Sequence, residues 1–328
     1  MTRGLLLVAA LPLLLGAAGD VPDLILPVAC KLGVNCAVQN YVDADPSPAA
    51  RDFHCGKRTY DKHGGTDIRL QNMVQQQQGV AVLAAAVGTV LRIRDGVADV
   101  SVKEIGRAAI DAVECGNGLV IEHGGGIETQ YCHMAKGSIS VKPGQRVAAG
   151  APIGKVGLSG DTEYPHLHIG VRKDGVQVDP FALGAKAGQC DGGRNIWAVT
   201  SGLAKGYQAG QVLNAGFATG PVTMAAAQAR GEDQQPRPSR AAPALVAFVQ
   251  SIGLQGGDVQ QLTVAAPDGA ILAQNHAQPL DRDKAQTILF AGKKLRGASW
   301  PAGRYVARYQ VMRAGKPVID RRFAMMLK

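Results

Sequence analysis

Apolar and polar positions along this chain follow a period of two far more often than a period of three to four, which predicts strands rather than helices. Residues 80–93 are an apolar, β-branched stretch broken at Gly88, the pattern of a buried strand pair. Residues 119–123, three glycines and residues 127–133 read as a β-hairpin. Short strands follow at 141–147, 153–157 and 166–171. The last ends in a turn at Lys173-Asp174-Gly175 before residues 176–178. Alternating charge and alanine at 102–113 predict a short helix inserted ahead of the hairpin, and Gln75 to Gln78 read as a solvated loop or strand edge. After Gly184 the texture changes. Strand-like segments recur at 212–218, 245–252, 260–265, 270–274, 285–290, 304–312 and 318–326, around a polar, Pro- and Arg-rich loop at 229–243. About seven short strands with regular turns predict a β-sandwich, and Trp300 to Tyr305 resembles the approach to a late sandwich strand with a tyrosine at its corner.

The predicted organisation is therefore all-β, in two parts. Residues 20–55 form an N-terminal segment rich in loop signals, 56–185 a first domain, 186–210 a linker, and 211–328 a C-terminal β-sandwich of immunoglobulin or fibronectin type. A length of 328 residues favours two domains, and 42 glycines with 5% aromatics suit many short strands with tight turns. Residues 1–19 carry one positive charge, an apolar run from Leu5 to Leu15 and small residues before Asp20, the plan of a secretory signal peptide. The run is short of the roughly 20 residues that span a bilayer, so no transmembrane segment is expected once the signal is removed. Export places the protein in the periplasm, outside the cell or in the envelope.

In an oxidising compartment the 6 cysteines are expected in disulfides. Cys30 and Cys36 bracket a small loop, Cys115 and Cys132 lie on opposite arms of the hairpin, and Cys55 with Cys190 is left by elimination. No Cys-x-x-Cys spacing supports a cysteine metal site instead. The formal charge of +9 favours anionic polymers. No basic cluster interleaved with aromatics is visible, so nucleic acid is not an expected partner and the charge reads as diffuse.

The candidate chemistry lies in the first domain. His63 and Asp67 stand four residues apart in a glycine-containing loop, where Gly64 and Gly65 would let the backbone bend. His166 and His168, two apart on a strand, would face one groove with Leu167 packed behind them. Tyr131-Cys132-His133 ends the hairpin. Catalytic zinc typically takes three N or O ligands and keeps a position for water, and this set would supply those ligands and leave two imidazoles for proton handling. Each motif alone says little; their conjunction in this order points to a hydrolase. His54, His123 and His276 read as surface or structural.

This ordered set resembles the lysostaphin/LytM-type zinc metallopeptidases, which cut peptide crosslinks of peptidoglycan. The string is His63-x-x-x-Asp67, Tyr131-x-His133 and His166-x-His168, with agreement at Ile121 to Gly124, Lys142-Pro143-Gly144-Gln145, Gly157-x-Ser159-Gly160, His168 to Arg172 and Val178-Asp179-Pro180. The resemblance covers about residues 56–185. It implies a duplicated-hybrid-motif β-sheet fold with an open groove, and one zinc held by His63, Asp67 and His168. It also implies hydrolysis by a zinc-activated water with His133 and His166 as unligated catalytic imidazoles. Two other readings remain: a non-catalytic LytM-fold module that binds or activates wall hydrolases, and a protease of glycine-rich proteins.

Overall fold

The computed structural model describes residues 20–232 and 237–328. The leader expected at 1–19 lies outside the described residues, and so does part of the loop expected at 229–243. The first half contains β1 (Cys36–Asn40), β2 (Thr66–Leu70), β3 (Ala81–Leu83), β4 (Gly88–Arg94), β5 (Asn117–Glu122), β6 (Ile127–Met134), β7 (Arg146–Val147), β8 (Pro152–Lys155), β9 (His166–Lys173) and β10 (Val176–Val178). The second half contains β11 (Gln211–Ala218), β12 (Ala244–Leu254), β13 (Val259–Ala265), β14 (Ile271–His276), β15 (Lys284–Lys294), β16 (Gly303–Arg313) and β17 (Lys316–Leu327). Among the described residues the α-helices are short: α1 (Met73–Gln78), α2 (Val102–Ile105) and α3 (Met224–Arg230).

The main sheet runs β1-β2-β9-β6-β5-β4-β7, with β10 hydrogen-bonded to the far part of β9. Period-two alternation divides its central strands into two faces. Ile68, Leu70, Tyr131, Leu167, Ile169 and Val171 enter the core, which is closed by the β3-β8 pair and by Leu24, Val28, Ile196, Trp197 and Leu203. The other face carries Asp67, Arg69, His166, His168 and Arg172. The β5-β6 hairpin turns through Gly124, Gly125 and Gly126, all at positive φ, a conformation that glycine adopts without the cost of a Cβ.

In the second half, β11-β12-β15 and β14-β13-β16-β17 form two sheets that share one core. Phe217, Leu245, Ala247 and Val249 meet Leu262, Val264, Tyr305, Ala307 and Tyr309, while Trp300 and Ala242 close one end. Tyr305 donates its hydroxyl to the Pro301 carbonyl at 3.0 Å, as the corner reading expects. β12 is buried almost throughout because α3 covers its outer side at Phe248, and Ile252 packs on Ala37 and Leu213 at the junction of the halves.

Four expectations need correction. Residues 75–78 lie in α1, whose first turn is capped by the Asn72 side chain accepting from Gln75 N–H, not in a loop. The segment 20–55 supplies β1, an edge strand of the main sheet, and core residues Leu24 and Val28. Residues 186–210 do not hang free as a linker, because Ile196, Trp197 and Leu203 are buried in the first core. The strands expected at 80–93 do not pair with each other: β3 pairs with β8, and β4 with β5 and β7.

All three expected disulfides are formed: Cys30–Cys36, Cys115–Cys132 and Cys55–Cys190. The last joins residues 135 apart and so removes the most chain entropy from the unfolded state. The double variant Cys55→Ser/Cys190→Ser is expected to lose about 2–5 kcal/mol of stability, read as a lower denaturant midpoint under oxidising conditions. An unchanged midpoint would contradict it.

Candidate metal centre

The site is built where β2 and β9 pair in antiparallel register, with Asp67 opposite His168 and Arg69 opposite His166. That register puts the carboxylate and both imidazoles on one face. His63 comes from the loop before β2. The distances from His63 Nε2 to Asp67 Oδ1 and to His168 Nδ1 are both 3.2 Å, and His168 Nδ1 lies 2.9 Å from Asp67 Oδ1. These three side chains can each offer one ligand atom within 4.8 Å of the others. Two imidazoles and a carboxylate around a common centre are a donor set suited to zinc.

Neighbouring groups orient each donor. The Tyr41 carbonyl lies 2.6 Å from His63 Nδ1, which must carry its proton there and leave the Nε2 lone pair directed at the centre. Asn40 donates to Asp67 Oδ2 at 2.8 Å, so Oδ1 is left towards the histidines. Both partners come from β1 and the residue after it. The sequence reading missed them, because no spacing rule links them to His63. The one available signal was the short apolar run Cys36-Ala37-Val38 that opens β1.

His133 and His166 complete the cluster. Their rings are 4.6 Å apart, and His133 lies 6.0 Å from the His168 ring. His133 Nδ1 donates to the Ser159 carbonyl at 2.8 Å, and His166 Nδ1 to the Tyr164 carbonyl at 3.0 Å. In both rings Nε2 is therefore the unprotonated nitrogen, and that of His166 is 3.6 Å from Asp67 Oδ1. His133 sits at φ 61°, a left-handed conformation that is uncommon for a residue with a Cβ. There β6 bulges: Asn117 pairs with Met134 and Leu119 with Tyr131, so two residues face Gly118 alone. The His133 N–H bonds the Cys115 carbonyl at 2.8 Å, and the Cys115–Cys132 disulfide ties the same two segments. Tyr131, the first residue of that motif, is buried with its hydroxyl on Ala85 N–H and Thr129, a structural position.

The charges respond to this crowding. Burial pushes Asp67 up, but His63, His166 and the hydrogen bond from His168 prevail and hold it well below the usual carboxylate range. For His63 burial works downward, and the Asp67 carboxylate outweighs it and raises the imidazole. Burial, with His166 and His168 nearby, depresses His133 well below an ordinary imidazole, and burial likewise lowers His166.

Gly65 has a different reason from the one expected. Neither Gly64 nor Gly65 needs a positive φ; instead a Cβ on Gly65 would stand 2.5 Å from His168 Nε2. The loop is glycine at this point because the chain passes against the His168 ring. Gln177 on β10 donates to the Gly64 carbonyl and holds the loop down. The remaining histidines behave as expected: His123 bonds the Val87 carbonyl and Thr129, His54 is exposed beside Asp191, and His276 is exposed, although it ends β14 instead of lying in a loop.

The centre opens into a groove of about 390 Å³ lined by Tyr60, Lys62, Gln130, Asp161, Arg172 and Gln177 together with His63, His133 and His168. A cavity of about 460 Å³ beside His123 gathers no ligand set. Behind the groove, Arg69 lies 3.8 Å over the Tyr164 ring, which in turn is 5.3 Å from His166. Burial pulls the Arg69 guanidinium down to about 10, and its Nη atoms donate to Gln39 and, in the second half, to Gln286. Asn214, also in the second half, donates to the Gln71 carbonyl just past β2. The strand that carries Asp67 is thus held from both sides.

Residues 61–180 match the model of Peptidase family M23. The DD-carboxypeptidase/endopeptidase Mpg of Neisseria meningitidis is 38% identical over 68 residues, 21% of this chain and 15% of that protein. The peptidoglycan DD-endopeptidase ShyA of Vibrio cholerae is 47% identical over 53 residues, 16% of this chain and 12% of that one. The chain thus spans less than a fifth of the length of either relative. Among solved structures, a zinc-containing peptidase from Vibrio cholerae aligns at 26% identity and TM-score 0.28, over 43% of this chain and 38% of that one. The catalytic domain of lysostaphin from Staphylococcus simulans aligns at 22% identity and TM-score 0.27, over 37% and 77% respectively. Asn40 and Tyr41 lie outside the matched stretch.

Proposed function

We propose that the chain is an exported zinc endopeptidase that hydrolyses the peptide crosslinks of peptidoglycan, acting in the periplasm or outside the cell. The observation that carries this reading is the approach of the donor atoms of His63, Asp67 and His168 to within 4.8 Å, with the His133 and His166 rings beside them, 4.6 Å apart. Those three residues would hold one zinc per chain. A zinc ion there would acidify water and polarise a carbonyl. His133 and His166 keep Nε2 unprotonated beside the three candidate ligands and are held below an ordinary imidazole, so either can take the proton of an attacking water and return it to the leaving amine. Once protonated, the same ring can donate to the oxyanion of the tetrahedral intermediate. The two histidines carry these tasks jointly.

In this reading residues 1–19 are a signal peptide, 56–185 the catalytic domain of duplicated-hybrid-motif type, and 211–328 a β-sandwich of immunoglobulin or fibronectin type. The similarity to a peptidoglycan DD-endopeptidase supports peptidoglycan as the substrate. The three disulfides fit an oxidising compartment, and among the described residues no helix is long and apolar enough to cross a membrane. A complete set of five site residues speaks against a purely non-catalytic activator.

The test is incubation of purified sacculi and, in parallel, of a glycine-rich protein, with and without chelator, followed by mass analysis of the fragments. Chelator-sensitive release of crosslink-derived peptides, with about one zinc per chain, is the expected result. Cleavage of the protein alone would move the substrate, and a metal-free, inert chain would leave only the activator.

A further inference from the structure

The positive charge is not diffuse. Residues 211–328 hold 15 of the 35 Lys and Arg but only 7 of the 26 Asp and Glu, so this last third carries +8 of the formal +9. Within it, the two ends differ. One end faces the metal-bearing half: Gly253 packs against Arg58, Gln286 accepts from Arg69, and Arg313 makes two bonds to Asp258 at 2.8 and 2.7 Å.

At the opposite end β12 and β16 begin and β15 and β17 finish. Ala244 pairs with Lys294, Leu295 N–H bonds the Pro243 carbonyl, and Trp300 N–H bonds the Arg240 carbonyl, with Gly303 opening β16 just beyond. Arg240, Lys293, Lys294, Arg296 and Arg304 are all exposed there. Arg240 is held to the Trp300 carbonyl and Ser299, and none of the five forms an ion pair among the described residues. Arg308 and Arg313, nearer the middle and the other end, are paired with Asp320 and Asp258. Asp268, in the turn between β13 and β14, is the acidic residue these end segments contribute. Five like charges at one end of the sheets repel one another, and among the described residues of these end segments only Asp268 offsets them.

Cations alone would suit any polyanion, but this end also exposes apolar side chains. Met326 is paired with Arg304 across β16 and β17 and is 58% exposed. Ile271 opens β14 and is 64% exposed. Asn275 donates to the Phe290 carbonyl at 2.8 Å and lays β14 along β15, which brings Ile271 to the Lys293-Lys294 end. A dissolved polymer of carboxylates or phosphates gives Ile271 and Met326 no way out of water. The interface of an anionic bilayer does, while its headgroups meet the cations.

We infer that this end of the second half docks on an anionic phospholipid surface. β12 has 11 residues, so at about 3.4 Å per residue the docking end stands on the order of 35 Å from the end that grips the metal-bearing half. The groove is thereby held away from the bilayer, where a polymer layered above a membrane would be within reach. The inference does not depend on which bond the groove cuts.

The experiment is flotation of the full chain with vesicles of phosphatidylglycerol and phosphatidylcholine, against vesicles of phosphatidylcholine alone and against purified sacculi. The expected result is binding to the anionic vesicles that is lost in 0.5 M salt. The triple variant Lys293→Gln/Lys294→Gln/Arg296→Gln should bind about 100-fold more weakly, at roughly fivefold per cation near such a surface. Ile271→Ser/Met326→Ser should weaken binding while keeping its salt dependence. Hydrolysis of a soluble crosslinked peptide should be unchanged in both variants, which separates a failure of docking from a failure of the proposed activity. Equal binding of wild type and triple variant to anionic vesicles would overturn the inference. So would salt-sensitive binding to sacculi with none to vesicles, because the partner would then be a polymer.

Discussion

Alanine at His63, Asp67 or His168 is expected to abolish zinc binding and, with it, all detectable peptidase activity, while the fold survives. The three residues contribute unequally to the apo structure, which sharpens the expectation. Asp67 is 2% exposed and bonded through Oδ2 to Asn40, so its carboxylate is fixed before any metal arrives. Removing it leaves only two of the three side chains whose donor atoms can reach a common centre, one fewer than a catalytic zinc typically takes. His63 is fixed just as firmly by the Tyr41 carbonyl. His168 is the most exposed of the three, with 20% of its side chain reachable, and its loss should disturb the fold least. Atomic emission on the purified variants, beside circular dichroism and the sacculus assay, reads all three quantities. Near-stoichiometric zinc in Asp67→Ala would refute the ligand set. Because the ligating imidazoles must be neutral, protons compete with the metal, so wild-type activity should fall as acid displaces zinc and return on neutralisation with added zinc.

Much of this architecture was legible because a strand announces itself by alternation. Residues 166–171 read as His-Leu-His-Ile-Gly-Val, and β9 sends Leu167, Ile169 and Val171 into the core and both histidines to the opposite face, where His168 lines the groove. Every strand expected after residue 210 is present, for the same reason. What escaped the sequence depended on contacts between distant segments. Asn40 and Tyr41 act on Asp67 and His63 from more than twenty residues away, through a sheet edge whose partner was not apparent from local pattern. Arg69, on the same face of β2 as Asp67, carries no local signal of its burial. It is buried because Tyr164 covers it and the second half supplies Gln286. The glutamines at 75–78 were taken for loop because composition outweighed the Asn72 cap and the Gly79 stop that make a single helical turn and a half. The charge was taken as even because a total says nothing about position.

Alanine at His133 or His166 should have a different signature: zinc retained and turnover about 10²- to 10³-fold lower, the usual cost of losing a proton-transfer or oxyanion donor. Neither side chain belongs to the group within 4.8 Å that could hold the metal. Each is anchored through Nδ1 to a backbone carbonyl, Ser159 or Tyr164, which leaves the working nitrogen free without relying on a mobile partner. Steady-state kinetics on a soluble crosslinked peptide, with metal analysis of the same samples, separates this from ligand loss; normal turnover in His166→Ala would contradict the assignment. The double variant discriminates further. If the two rings, 4.6 Å apart, share one proton relay, the second substitution should cost little beyond the first, because residues that act as a unit are not additive. If one takes the proton and the other independently holds the oxyanion, the losses should multiply. The hydrogen bonds favour the first outcome, because both rings hold their proton on Nδ1 and neither can donate to the oxyanion through Nε2 before it has taken a proton. The bulge at His133, pinned by the Cys115 carbonyl and the adjoining disulfide, then serves to fix the ring that receives it.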